Sequence, residues 1–185
     1  MTPIEICKHL GTDNLDAYFG ELSGKEIRAA LKAGGSSVNV PTTAYTQAAR
    51  RKAWRRRFEK ELGDNNGQIA LALLLEWLMR HHRDLLVDYL DFLGVEHTQG
   101  ETDEDFCETQ SEDKLREGVT ELLGKHPPHH VATYLLLVGH LQESTVFDRT
   151  PELLKALGMG DAAVAEHIAA AEARDAKKAA KKAAS

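Results

Sequence analysis

Helix punctuation recurs along this chain at short intervals, and no other feature constrains its fold as strongly. Thr2-Pro3-Ile4-Glu5 is a capping box with proline at the first helical position, where an N–H would have no intrahelical partner. Ser23-Gly24-Lys25-Glu26 repeats the signal. Glycines stand where helices are expected to stop, at Gly11, Gly34-Gly35, Gly63, Gly94, Gly124 and Gly158. Apolar residues between these marks fall at helical spacing. Leu15, Tyr18, Phe19 and Leu22 precede the second box, Ile27, Ala30 and Leu31 follow it, and Leu86, Tyr89, Leu90 and Leu93 lie between Arg83 and Gly94. Strand punctuation is nearly absent. The chain therefore reads as all-α, a compact multi-helix bundle or irregular helical array of about eight helices with a flexible basic C-terminal tail.

Two stretches are apolar enough to be central helices. Gln68–Arg80 covers almost every side of a helical wheel, and Pro127-Pro128 opens a second helix whose Val131–Leu141 run is nearly uninterrupted. Glu112–Leu123 turns Leu115, Val119, Leu122 and Leu123 inward and is expected to stop at Gly124, while Thr150-Pro151 opens a short helix ending at Gly158. From Ala44 to Leu62 a long amphipathic helix is predicted, with Trp54, Phe58 and Leu62 on its inner face and Lys52, Arg56 and Lys60 nearly opposite. The Gly, Ser, Asn and Pro content of residues 34–43 marks a break. The expected organisation is a small N-terminal helical segment (1–35), a linker (36–43), a main helical domain (44–160) and an alanine/lysine-rich tail (161–185), helical or disordered. Residues 95–111 read as a long exposed loop, anchored by Phe106.

At 185 residues, with 42% hydrophobic and 28% charged residues, the chain suits one soluble domain, alone or with a short appendage. The longest apolar run, Ile69–Met79, is interrupted by Glu76 and is about half the ~20 residues a membrane span needs. No membrane partner is expected. The first residues lack the basic and apolar regions of a secretory signal, which makes a cytoplasmic location the expectation. Cys7 and Cys107 belong to no CxxC pair, so two reduced thiols are expected rather than a disulfide or a zinc site.

The net charge of −6 conceals strong segregation. Residues 50–60 hold seven basic residues against one acidic, residues 177–185 hold four lysines and no acid, and residues 96–113 carry eight carboxylates with no Lys or Arg. Clustered Arg and Lys beside aromatics are what phosphate neutralisation and base stacking use. The candidate anion or nucleic-acid contacts are therefore Lys52, Arg55, Arg56 and Lys60 with Lys177, Lys178, Lys181 and Lys182. The competing reading is a solvated charged face and a solubilising tail, because Trp54 and Phe58 fall on the face assigned to the core. Docking on lipid or in a protein groove would need that apolar face to be free.

Nine histidines invite a metal reading, with His81 and His82 adjacent and His126, His129 and His130 around a helix start. Neither HExxH nor a paired ExxH pattern is present, and adjacent helical histidines point about 100° apart. No metal is assigned, and surface histidines are the simpler expectation. There is no GxSxG elbow, no phosphate-cradling glycine loop, and no calcium-loop spacing in the acidic segment. His140 as a buried base and Glu76 as a buried acid have simpler readings: His140 lies near a helix end, and Glu76 precedes Arg80 by four residues, the order favoured for a helical ion pair. No catalytic residue and no cofactor are assigned. The expectation is a non-enzymatic helical protein-interaction module, with protein as the partner. The alternatives are non-specific nucleic-acid binding through residues 50–60 and the lysine tail, or a metal-dependent enzyme using histidines.

Overall fold

The computed structural model describes residues 1–35, 56, 59–60 and 67–183, and among them it contains α-helices, one 3-10 turn and no strand. The all-α expectation holds. The chain divides into two units, residues 2–83 and residues 84–185 together with Met1.

In the first unit, α1 (Pro3–Glu21), α2 (Gly24–Ala33) and α3 (Gly67–His81) pack together, α3 lying against both others. Both capping boxes form: the Thr2 N–H donates to Glu5 at 2.7 Å, and the Ser23 N–H donates to Glu26 at 2.6 Å. Gly11 sits inside α1 with φ 71° and ψ 173°, so the element is two short helical segments across a kink, as the glycine and the second apolar cluster predict. α2 stops at Gly34. Ile69, Ala70, Leu73, Leu74, Trp77 and Leu78 of α3 are buried. Residues 67–83 thus group with the N-terminal helices, because α1 and α2 cover the apolar surface of α3. The expected linker 36–43 and most of the expected helix 44–62, including Trp54 and Phe58, lie outside the described residues. Arg56, Glu59 and Lys60 have helical backbone and exposed side chains.

The second unit holds α4 (Arg83–Leu93), α5 (Phe106–Thr109), α6 (Glu112–Lys125), α7 (Pro128–Leu141), the 3-10 turn Phe147–Arg149, α8 (Pro151–Ala156) and α9 (Asp161–Ala183). Its core is built on α7, whose residues 130–137 are all buried and which packs on α6, α8 and the 3-10 turn. Tyr89 of α4 is the aromatic hub, meeting Phe106, Tyr134 and Phe147 edge-on at 5.9, 5.9 and 6.3 Å. Its hydroxyl donates to the Leu115 carbonyl at 3.1 Å, so the one polar atom of the buried ring is satisfied.

Two expectations are corrected here, and a third is decided between its alternatives. Gly124 does not end α6, which continues to Lys125 and closes at His126 with φ −121° and ψ 159°. The stop comes from Pro127, because proline disfavours helical backbone in the residue before it. Residues 95–111 are not a plain exposed loop. Thr98 and Glu101 exchange both backbone hydrogen bonds around Gln99 and Gly100, whose φ values of 53° and 84° define a mirror-image tight turn, and Asp105 caps α5. Phe106 is buried and anchors the segment as expected, and the Gln142 side chain clamps it by accepting from the Cys107 N–H and donating to the Glu104 carbonyl. Residues 161–183 form one continuous helix, the ordered alternative for the alanine/lysine-rich tail. Alanine and lysine favour helix, and α9 gains tertiary support from buried Val164 and Ala171. No helix among the described residues is long and apolar enough to cross a membrane.

Candidate interaction surface

Five histidines sit against carboxylates. In the first unit, Glu21 at the end of α1 accepts from the Trp77 indole N–H at 2.6 Å and lies 2.7 Å from His82 Nε2, while His81 Nε2 is 3.5 Å from Glu26. The Trp77 ring stacks on Tyr18 with centroids 3.7 Å apart and tilts against His82 at 4.3 Å. In the second unit, His97 meets Asp91 at 3.1 Å, His126 meets Asp88 at 2.9 Å, and His167 lies 3.6 Å from Asp148. A carboxylate orients an imidazole, yet each pair here ties two segments together. No group of three or more His, Cys, Asp or Glu positioned to hold a metal occurs among the described residues. His130 is buried, which corrects the expectation of a surface position and follows from its place on the all-buried face of α7. His140 is exposed at the end of α7, and Glu76 pairs with Arg80 at 3.2 Å, both as predicted.

The nucleophile candidates are quiet. Burial pushes the Cys7 thiol up to about 12. Cys107 is likewise pushed up to about 12 by burial, against a smaller opposing hydrogen bond with Ser144. Both stay protonated near neutral pH, and a thiol lacks the nucleophilicity of a thiolate.

Asp148, almost fully buried in the 3-10 turn, is met by the Met1 ammonium and by Arg174 of α9, which donates at 2.8 Å. Next to it Arg149 donates to Glu112 at 2.6 Å and faces Asp175 at 3.4 Å, and Asp175 accepts from the Thr145 hydroxyl. Lys178 donates to the Glu143 carbonyl at 3.3 Å. This network fastens α9 to the unit.

Of the candidate anion contacts, Lys52 and Arg55 lie outside the described residues. Arg56 and Lys60 are exposed, and Lys177, Lys178 and Lys181 are exposed on α9, where Lys182 is also helical. The charge asymmetry follows the structural division. Residues 84–185 carry twenty acidic and ten basic residues, for −10, whereas residues 2–83 carry nine and thirteen, for +4.

Two large apolar side chains are exposed on the described surface, and both belong to the acidic unit: Phe92 at 36% and Leu141 at 49%. Leu141 borders a polar cleft with Asp105, Cys107, Glu108, Glu143 and Lys178. Phe92 lines an open groove of about 550 Å³ between α4 and α6 with Glu117, Thr120, Glu121, Gly124 and Lys125. Phe92 carries a signal in the sequence that the helical stripe alone passes over: it is a large aromatic off the Leu86, Tyr89, Leu90, Leu93 row, set between Asp91 and the core. Compared with family models, curated proteins and solved structures, the chain matches none.

Proposed function

We propose that this chain is a non-enzymatic helical module that binds another protein through its acidic second unit. The observation that carries this reading is the coincidence, in one unit, of a −10 charge with the two large apolar side chains exposed among the described residues. A carboxylate-rich rim around an apolar anchor gives a partner both steering and a buried contact. Two protonated, unpaired thiols suit a reducing compartment, the cytoplasm in this reading. The test is affinity capture on the immobilised chain followed by reconstitution with the captured protein in purified form. A stoichiometric complex that charge reversal within residues 84–185 disrupts is the expected result. A chain that forms no complex with any purified candidate overturns the reading.

A second reading rests on a separate observation, the exposure of Arg56 and Lys60 and of Lys177, Lys178 and Lys181. Non-specific nucleic-acid binding through these cations predicts an affinity for labelled DNA and RNA that falls steeply with salt and drops when Lys177, Lys178, Lys181 and Lys182 are removed. No binding at low salt eliminates it.

A further inference from the structure

We infer that the groove between α4 and α6 docks a basic segment of a partner protein, with an apolar side chain of that segment seated on Phe92. The inference rests on the protein-binding reading and gives it a site and a partner chemistry. The groove is built by a glycine, one short side chain and one ring. Position 124 has no heavy atom within 4 Å of where a Cβ would stand, Thr120 lies one turn earlier, and Phe92 forms the opposite wall. Gly118 lets the Phe92 ring lie close over α6, since a Cβ there would meet the ring at 3.1 Å. The ring is thereby held against α6 while Phe92 as a residue stays 36% exposed.

The rim selects the charge of the occupant. Glu117 and Glu121 are exposed along α6, and Asp88 on α4 lies near enough to Lys125 to act on its charge. Lys125 is the one cation among the groove's lining residues, and it is already tied to Glu121 at 3.0 Å. With that pair made, the lining keeps one net negative charge, on Glu117, beside an apolar wall. Phosphate-bearing ligands are repelled by such a rim, and so is a second copy presenting this same unit, because a symmetric contact would set carboxylates against carboxylates. A lysine- or arginine-bearing amphipathic segment satisfies both parts at once, its apolar residue on Phe92 and a cation on Glu117, with Glu121 reachable by exchange with Lys125.

The experiment is an anisotropy titration of the full chain against a labelled amphipathic peptide of leucine and lysine, beside a peptide in which glutamate replaces each lysine. The lysine peptide is expected to bind with an affinity that falls with salt, and the glutamate peptide is expected not to bind. Phe92→Ser is expected to weaken the complex about tenfold, as loss of a central anchor does. Glu117→Lys combined with Glu121→Lys changes only exposed positions and is expected to weaken it at least as much, with far-UV circular dichroism unchanged. Failure of the lysine peptide to bind at low salt overturns the basic-partner inference. Binding that all three substitutions leave intact overturns the groove as its site. Neither failure decides the protein-binding reading itself, which the reconstituted complex tests through the whole unit.

Discussion

A Cβ placed on Gly118 would stand 2.6 Å from a ring carbon of Tyr89, so α6 and the aromatic hub of the second unit meet at a distance only glycine permits. The ring cannot retreat, because it is fully buried and its hydroxyl is bonded to the Leu115 carbonyl. Gly118→Ala gains about 1 kcal/mol of helix propensity and loses more to overpacking, about 1–3 kcal/mol. The expected net result is a lower urea midpoint. An alanine variant as stable as the parent would mean that α6 slides away from Tyr89 at no cost.

Glu21 holds two donors that approach from far along the chain. Glu21→Ala leaves the buried indole N–H of Trp77 without its acceptor, which costs about 1–3 kcal/mol. Glu21→Gln keeps an acceptor oxygen and is expected to recover most of that loss, while giving up the charge next to His82. Urea unfolding of the two variants checks the order, and equal losses would show that the hydrogen bond to Trp77 contributes nothing.

Cys7 and Cys107, with thiols pushed up to about 12, are expected to react slowly with iodoacetamide at pH 8 in the folded protein and at ordinary rates in denaturant. Mass spectrometry of timed samples reads the difference. Rapid labelling of either cysteine in the folded state would reveal an opening fluctuation at that site.

The Glu26 carboxyl is held below its ordinary 4.5 by the Ser23 backbone N–H first, then by the Ser23 hydroxyl, with His81 adding a smaller electrostatic contribution. A depressed carboxyl pKa stabilises the fold above the unfolded value and ceases to do so as pH falls through the folded one. The Ser23 cap of α2 therefore contributes in full above pH 4.5 and weakens below it. Glu26→Gln should differ most from the parent near pH 6 and converge with it towards pH 3. A constant difference across that range would show that the capping box owes nothing to the charge.

Asp148 accepts from Arg174 across 26 residues and sits in the 3-10 turn that α9 covers. Asp148→Ala removes the carboxylate that both Arg174 and the Met1 ammonium donate to, about 1.5–3 kcal/mol for each charge-assisted hydrogen bond, and is expected to raise hydrogen exchange in residues 161–183 more than in α7. Uniform loss of protection through the unit would instead make the aspartate a support of the whole core.

Helix boundaries were legible where their causes are local. Thr2 with Glu5, Ser23 with Glu26, and the positive-φ glycines Gly35, Gly94 and Gly158 each act within a few residues, so spacing reveals them. Gly124 misled because glycine permits a stop without requiring one, while the prolines just beyond it impose one. The ties between distant segments were not legible. Nothing near Glu21 announces Trp77, and nothing near Asp148 announces Arg174, because those partners are chosen by packing. The candidate groove lay between these cases. Phe92 stands visibly off its helix's apolar row, but that Glu117, Glu121 and Gly124 face it depends on how α6 lies against α4.

α9 shares few fully buried apolar side chains with its unit, Val164 and Ala171, and takes much of its hold from Arg174, Asp175 and Lys178. Ion pairs at a surface fade as salt shortens the Debye length, from about 10 Å at 0.1 M to about 3 Å at 1 M. Apolar burial, by contrast, strengthens in salts excluded from the protein surface. The outer ties of α9, such as Lys178 with Glu143, and the core beneath it therefore answer to opposite trends in one variable, while Arg174 on the buried Asp148 is screened far less.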